Sequence, residues 1–402
     1  MKKMLSIFMA LTLIFLTTAC FAADKEKKSK VKFNEKLLSE IELEETPARD
    51  IPLIVMRQKP EDVTILGEPA ATQGQMVNYI NRRNPSPKLN CSVKELVQIY
   101  YEEAGLEGIR PDVAICQAIK ETGVWNYGGD VLPEQNNYCG LGATGNHERG
   151  AYFESPRQGV RAHIQHLLAY TSKELPKTEI TDPRYELIKK FRPQIFGKIK
   201  NWTGLNGVWA VPGKQYGHEI LTLWQQAQIP DASEEAMESA NYRVIVGEDK
   251  AAAFVYRGLV YAAREDFWTA QSEFRTALDF EPNLKEALFN LAVAQEKISR
   301  IDDAVKTYTQ LLYLDKNFLP AYYNRGRLEL AKEDYDAAIK DFRQTLTLED
   351  RSVDALNEIA IAYFRQKKYS DAWKTLELAE ETNSTNEIVK ENKSRMESAK
   401  KK

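Results

Sequence analysis

The feature that most constrains the fold of this chain is a period of 34 residues in its C-terminal part. Two series of small residues and one series of bulky residues keep this spacing through four units: Gly258, Ala292, Gly326 and Ala360; Ala270, Ala304, Ala338 and Ala372; Phe274, Tyr308, Phe342 and Leu376. Small residues let two helices approach closely, and bulky residues fill the space to the next unit. The period therefore predicts an α-solenoid of four helical hairpins over residues 251–386.

This pattern resembles the tetratricopeptide repeat. The resemblance implies a concave surface that binds a protein or peptide partner. In the third unit, Tyr322, Tyr323, Asn324 and Arg327 are candidates to line that surface. Packing between repeats is the alternative role for the same side chains, and a single sequence does not separate the two.

Three other stretches are predicted to be connections or ends. Residues 24–71 begin with a charged run and then show little periodicity, which is typical of a linker or arm. Residues 231–250 are predicted to be a second linker. Residues 387–402 are polar and rich in lysine, which predicts an end helix or a polar tail.

The first 23 residues have the pattern of a secretory signal peptide, with two lysines, an apolar run and then small residues. Cleavage after Ala22 or Ala23 would release an exported soluble protein. In the alternative interpretation, Cys20 in LTTAC is lipidated and attaches the chain to a membrane. Both interpretations predict an exported protein of the periplasm or cell envelope.

Residues 72–230 are predicted to form a compact, mostly helical domain. Ser92 is placed to cap one helix, and Pro111 to start a second that ends at Gly123. Ser155 and Pro156 are placed to open a third. A short helix is expected after residue 183, and a last one over residues 214–227.

Glu121 is the candidate catalytic residue of this domain, because it stands at the end of a helix and precedes a loop rich in glycine, asparagine and aromatic residues. The negative end of the helix dipole and burial both raise the pKa of a carboxyl group. A raised pKa suits a general acid that protonates the leaving oxygen of a glycosidic bond. The alternative is an exposed glutamate without a catalytic role.

The loop after Glu121 has the side chains expected of a sugar-binding segment. Its aromatic residues Trp125, Tyr127 and Tyr138 are predicted to stack on sugar rings. Its amides Asn136 and Asn137 are predicted to bind hydroxyl or acetamido groups. These five residues are the candidate substrate-binding set.

Several segments of this domain resemble the bacterial glucosaminidase family, the endo-β-N-acetylglucosaminidase domain of autolysins. They are QAIKETG, QNNYCGLGATG, FESPRQGVRAHIQHLLAYTS, TDPRYELI and GVWAVPGKQYGHEIL, within residues 72–228. The resemblance implies a lysozyme-like α+β fold with a small β-containing lobe near residues 124–153. It also implies hydrolysis of the β-1,4 bond after N-acetylglucosamine in the glycan strands of peptidoglycan. In that family's pattern the general acid corresponds to Glu121, a further catalytic residue to Tyr185, and the Asn pair to Asn136 and Asn137.

The second catalytic carboxylate is left open by the sequence, because the lobe after Glu121 is short. Asp130 is preferred, and the alternatives are Glu134, Glu148 and Glu154. If none approaches the sugar, the acetamido oxygen of the substrate is the expected nucleophile. An inverting mechanism would need a carboxylate far enough from Glu121 to admit a water molecule.

Composition and spacing argue against several other functions. The net charge of −3 gives no electrostatic basis for binding nucleic acid. His163 and His166 are three residues apart, but a zinc site would need further ligands, so no metal or cofactor is predicted. Two of Cys91, Cys116 and Cys139 pair in one interpretation, and all three stay free thiols in the other. Besides a hydrolase, a non-catalytic glycan-binding scaffold and a lytic transglycosylase remain as alternatives.

Overall fold

The computed structural model describes residues 31–143, 149–209 and 213–400. The predicted signal peptide and Cys20 lie outside the described residues. In chain order the helices are α1 (Glu35–Leu38), α2 (Gln73–Arg83), α3 (Val93–Glu107), α4 (Pro111–Thr122), α5 (Pro156–Thr171), α6 (Tyr185–Phe191), α7 (Tyr216–Ala227), α8 (Glu234–Val246), α9 (Lys250–Ala263), α10 (Phe267–Phe280), α11 (Lys285–Lys297), α12 (Ile301–Leu314), α13 (Leu319–Ala331), α14 (Tyr335–Leu348), α15 (Val353–Arg365), α16 (Tyr369–Thr382) and α17 (Glu387–Ser398). The prediction of a mostly helical chain is confirmed.

The chain divides into two compact units. The first consists of the described residues up to Arg49 together with those from Tyr322 onward, and the second of residues Asp50–Ala321. None of the described helices is both long and apolar enough to cross a membrane.

The helices around the candidate site begin and end where the sequence predicts. The Ser92 side chain caps α3 by accepting from the N–H of Glu95, and Ser155 caps α5 in the same way. Helix α4 begins at Pro111 and ends at Gly123, whose φ of 58° is the left-handed conformation that glycine adopts without strain. Helix α2 was not predicted. Helix α3 packs on α5, and α4 packs on α7.

The β-containing lobe that the resemblance implies shows no strand in its described part. Within residues 50–321, the described pairing outside helices consists of isolated bridges, Thr64 with Asn201 and Leu66 with Ile109. The lysozyme-like α+β detail therefore stays a prediction, while the dominance of helix is established. The thiols of Cys91, Cys116 and Cys139 are all free, which agrees with the second cysteine interpretation.

The repeats are built as the spacing of small and bulky residues predicts. A Cβ added at Gly258 would lie 2.5 Å from the ring of Phe274, and one added at Gly326 would lie 2.9 Å from the ring of Phe342. The turn inside each hairpin holds a non-glycine residue in the left-handed region, and these residues recur at the same period: Glu265, Ser299, Glu333 and Lys367. Each of these helix-to-helix turns is therefore closed by the same backbone conformation.

The stretches predicted as linkers and tail are folded wherever they are described. Helix α8 fills most of residues 231–250, and its Met237 and Ala240 are buried against Val260 of α9. Helix α17 extends the repeats beyond residue 386. The segment before residue 72 is largely extended and bound to the repeats, because Phe33, Leu38 and Leu43 are buried in one unit and Ile54 in the other.

Candidate active site

Glu121 lies on the last turn of α4, half-buried. Its pKa is raised because burial disfavours the charged carboxylate. A hydrogen bond from the Tyr216 hydroxyl, the positive charge of Lys120 and a hydrogen bond from Trp209 oppose this effect without cancelling it. The pKa of Glu121 is therefore raised, as the sequence predicts, because the effect of burial outweighs the three contacts that favour the charged form.

A chain of buried hydrogen bonds runs into the core from the Glu121 carboxylate. The Tyr216 hydroxyl donates to Oε1 of Glu121 and accepts from Nε2 of Gln117 at 2.8 Å. Oε1 of Gln117 lies 3.0 Å from Nε2 of His163, and Nδ1 of His163 lies 2.9 Å from the Tyr100 hydroxyl. Four side chains therefore connect Glu121 to the α3–α5 contact.

One arrangement of protons satisfies every member of this chain. His163 is fully buried, and burial lowers its pKa to about 3, so its ring is neutral near pH 7. A neutral imidazole donates through one nitrogen and accepts through the other. Since the amide of Gln117 donates to Tyr216, its oxygen must accept from Nε2 of His163, and Nδ1 then accepts from Tyr100. All donors consequently point toward Glu121, and Oε1 is fixed as an acceptor.

Trp209 joins this chain to a cluster of aromatic rings. Its ring stacks on Tyr216 with 6.3 Å between centroids, and contacts the edge of His166 at 5.0 Å. Nδ1 of His166 lies 2.8 Å from Oδ2 of the buried Asp182. The two histidines thus pack against Trp209, and His163 is hydrogen-bonded to the residue that holds Tyr216. Among the described residues, no cluster of His, Cys, Asp and Glu is placed to hold a metal ion.

The glycine-rich loop reaches Glu121 through its backbone. A Cβ added at Gly140, which has a φ of 67°, would lie 3.8 Å from Oε2 of Glu121. The second carboxylate oxygen therefore faces the loop, while the first faces Tyr216. Glycine at this position keeps the surroundings of Oε2 open.

Asn136 and Asn137 hold the loop together instead of facing an open surface. The amide of Asn136 donates to the carbonyl of Phe153 at 2.9 Å, and that of Asn137 exchanges two hydrogen bonds of 2.9 Å with the backbone of Leu141. Both side chains are buried. Because these amides are already paired, the geometry disfavours the predicted contact with sugar.

The predicted stacking residues are also turned inward. Trp125 is 0% exposed and Tyr138 is 1% exposed, so neither presents a ring face to a ligand. Tyr127 is half-buried. The binding role of these three residues stays a prediction, and the structure corrects the expectation that the first two lie at a surface. Both side chains belong to the hydrophobic core of the domain.

An open cleft of about 420 Å³ lies beside Glu121. Its lining consists of Lys120, Glu121, Gly213, Lys214, Gln215, Tyr216 and Glu219. Among the described residues, the carboxylates of this cleft are Glu121 and Glu219, and Glu219 forms an ion pair with Lys120. The cleft brings together α4 and the start of α7.

The other predicted catalytic residues lie elsewhere. Tyr185 is 0% exposed, and its hydroxyl donates to the carbonyl of Glu174 at 3.1 Å, so the structure does not bring it to Glu121. Asp130 is half-buried in the loop after α4, and its role stays a prediction. Glu134 and Glu154 are exposed, and Glu148 lies outside the described residues.

Sequence reasoning did not assign Tyr216 and Glu219 to this site. Both belong to GVWAVPGKQYGHEIL, a segment that carries the family resemblance but gave neither side chain a role. The signal was the density of aromatic and charged residues around the start of α7. Nothing local in the sequence shows that Tyr216, 95 residues from Glu121, reaches its carboxylate.

Comparison with known families finds matches to two parts of the chain. Residues 97–229 match the family described as mannosyl-glycoprotein endo-beta-N-acetylglucosaminidase. Residues 285–318 and 323–387 match tetratricopeptide repeat families. Both resemblances predicted from the sequence are confirmed by these matches.

Individual relatives cover one part of the chain or the other. An uncharacterized protein of Borreliella burgdorferi is 33% identical over 175 residues, which are 43% of this chain and 79% of that protein. A DnaJ homolog subfamily C member 7 homolog of Dictyostelium discoideum is 25% identical over 179 residues, which are 33% of that longer protein. Among solved structures, YrrB, a TPR protein with an unusual peptide-binding site, is 18% identical, with 40% of this chain and 83% of that chain covered and a TM-score of 0.37.

Proposed function

We propose that this chain, whose residues 97–229 match the glucosaminidase family and whose residues 285–318 and 323–387 match tetratricopeptide repeats, is a hydrolase of peptidoglycan glycan strands with Glu121 as general acid. The bond cleaved is the β-1,4 bond after N-acetylglucosamine. The repeats bind a protein partner. The signal-like N-terminal segment supports export to the cell envelope, with or without a lipid on Cys20.

The observation that carries the proposal is the Glu121 carboxyl at the wall of an open cleft, with its pKa raised by burial. A carboxylic acid that keeps its proton near neutral pH is able to protonate a departing sugar oxygen. The cleft is open to solvent, and its lining is polar and charged at Lys120, Lys214 and Glu219. These features fit an extended polar substrate.

The two oxygens of Glu121 have different surroundings, which suits the acid role. Oε1 accepts from Tyr216, so the transferable proton resides on Oε2, on the side of Gly140. When that proton passes to the leaving oxygen, the carboxylate that remains keeps its hydrogen bonds from Tyr216 and Trp209. These donors stabilise the ionised form that the first step produces.

The partner of Glu121 at the reacting carbon is either the substrate or a second carboxylate. Glu219 lines the same cleft, but its charge is engaged by Lys120. The acetamido oxygen of the substrate therefore serves as the nucleophile in the mechanism we favour. Glu219 holds Lys120 in place on this view.

The test compares the wild-type chain with Glu121→Gln on isolated peptidoglycan sacculi, and identifies the reduced soluble products by mass spectrometry. Glu95→Gln is the matched control, because Glu95 is exposed and does not line the described cleft. We expect reducing N-acetylglucosamine ends from the wild type and the control, and none from Glu121→Gln. Anhydro-muramic ends would identify a lytic transglycosylase instead, and binding without release by all three chains would identify a scaffold.

A further inference from the structure

The described residues from Ile41 to Arg49 form an irregular segment that lies against the repeats. Residues 43–49, with the sequence LEETPAR, form neither helix nor strand. Leu43 belongs to the buried apolar cluster formed with residues of α13 to α17, and Thr46 is only 2% exposed. We call residues 43–49 the arm segment. A segment without regular structure needs other partners for its backbone, because buried N–H and C=O groups are almost always paired.

Asparagine side chains of the repeats supply those partners. Asn324 accepts from the N–H of Arg49 at 2.7 Å and donates to its carbonyl at 2.9 Å. Asn392 does the same for Glu44, at 2.6 and 2.8 Å, and Asn357 adds a bond of 2.9 Å to that carbonyl. One side-chain amide thus takes the place of a neighbouring strand for one residue of the segment.

The amides follow the repeat and not the local sequence. Asn392 lies two periods of 34 residues after Asn324, and Glu358 occupies the position between them. Oε1 of Glu358 accepts from the N–H of Thr46 at 2.6 Å. Within residues 50–321, Asn290 binds the N–H and carbonyl of Leu53 at 3.0 and 2.7 Å, one period before Asn324. The asparagines of this series bind the N–H and carbonyl of one residue each, so they can hold an extended chain of any sequence.

Side-chain contacts add selectivity at three positions of the arm segment. The Thr46 hydroxyl contacts Glu358 and Tyr323. Glu45 forms an ion pair with Arg365 at 2.7 Å. Arg49 forms one with Glu349 at 2.9 Å and places its guanidinium over the Tyr323 ring.

We propose that the repeats from Tyr322 onward form a binding site for an extended peptide, and that the arm segment is its tethered occupant. Main-chain bonds supply affinity and side-chain pockets supply selectivity, as in other modes of extended-peptide recognition. A partner that fits this site presents an acidic residue, then threonine, then arginine three positions later. It binds by displacing the arm segment. The inference deepens the proposed partner-binding role of the repeats and does not depend on hydrolysis.

The test uses a fluorescent peptide of residues 41–50 and the full chain with Glu121→Gln as host, so that catalysis plays no part. In one host the arm segment also carries Thr46→Asp and Arg49→Ala, which remove the contacts with Glu358 and Glu349. We expect the peptide to bind this released host at least tenfold more tightly than the host with the native arm segment, as measured by fluorescence anisotropy. Adding Asn324→Ala and Asn392→Ala to the released host should abolish binding.

The matched control in the released host is Asn383→Ala, since Asn383 is exposed in the same unit and its side chain bonds only to Thr385 in the described contacts. It should leave binding unchanged. Equal binding with and without the side-chain amides of Asn324 and Asn392 would overturn the proposal. Absence of binding to a released host whose circular dichroism shows folded repeats would overturn it as well.

Hydrogen exchange of the unaltered arm segment gives a second measurement that needs no variant with a changed arm. If the segment is a replaceable ligand, excess peptide speeds exchange at the amides of Glu44, Thr46 and Arg49 while the helices of the repeats stay protected. Exchange of these amides only together with global unfolding would show that the segment is a fixed part of the fold.

Discussion

Replacing Tyr216 with phenylalanine tests how the cleft sets the proton affinity of Glu121. The substitution removes one hydroxyl and keeps the ring that stacks on Trp209. The lost hydrogen bond favours the charged form of Glu121, so its removal raises the pKa of that carboxyl further. A hydrogen bond to a charged group contributes about 1.5–3 kcal/mol, and Tyr216→Phe withdraws this contribution from the ionised form of Glu121.

The sign of the effect on activity follows from the acid role. A general acid works in its protonated form, so activity falls as the pH rises through its pKa. In Tyr216→Phe the alkaline limb of the pH profile of kcat/KM should therefore lie at higher pH than in the wild type. The variant should also lose stability of about 1–3 kcal/mol, because the buried amide of Gln117 loses its acceptor.

Tyr101→Phe is the matched control for this measurement. It also removes a hydroxyl, which donates to the carbonyl of Ala71 at 2.5 Å and makes no described contact with Glu121. Its alkaline limb should coincide with that of the wild type. An unmoved limb in Tyr216→Phe, with turnover retained, would refute the assignment of that limb to a Glu121 carboxyl stabilised by Tyr216.

Three further substitutions test the surroundings of the site and of the arm segment. Tyr185→Phe should keep turnover within a few-fold and cost about 1 kcal/mol of stability in thermal unfolding, since its hydroxyl bonds only to a backbone carbonyl in the described contacts; a loss of turnover above tenfold would restore its predicted catalytic role. Gly159→Ala should displace the loop and reduce both Tm and turnover, because the added Cβ would lie 1.8 Å from the carbonyl oxygen of Asn136. Its control is Gly105→Ala, whose added Cβ would meet no atom within 4 Å, and which should raise stability by about 0.5–1 kcal/mol. Burial raises the pKa of Glu358 from 4.5 to about 7, although the hydrogen bonds from Thr46 and the charge of Arg327 oppose this rise. Between pH 4.5 and 7 the folded state therefore binds more protons than the unfolded state, and the free energy of unfolding falls as the pH rises. Glu358→Gln should flatten this pH dependence of stability, and an unchanged slope would contradict the argument.

The helices and the acid were accessible from the sequence because their signals are local. The caps at Ser92 and Ser155, and the proline and glycine that bound α4, act within a few residues, so they set helix limits before any tertiary contact forms. The dipole and burial arguments for Glu121 likewise need only its own helix. The repeats were visible because one packing rule recurs at a fixed period.

The inward turn of the loop residues was not accessible in the same way. An asparagine is suited equally to a sugar hydroxyl and to a backbone carbonyl, and which one it meets depends on how residues 136–141 fold back on residues 151–153. The contact between Tyr216 and Glu121 joins two distant helices, and a pattern in one helix does not encode it. The asparagines that bind the extended main chain could have been found from the sequence, since Asn290, Asn324 and Asn392 keep the repeat period.

The covalent link between the arm segment and the repeats sets the conditions under which a partner competes. A ligand tethered through a flexible connection acts at an effective concentration in the ~millimolar range. A free peptide that makes the same contacts reaches half occupancy only near that concentration, however tightly it binds an empty site. A partner that presents many copies of the segment, or that is itself held beside the protein, meets this condition at low overall abundance. The repeats consequently respond to the local density of a partner and much less to its average concentration.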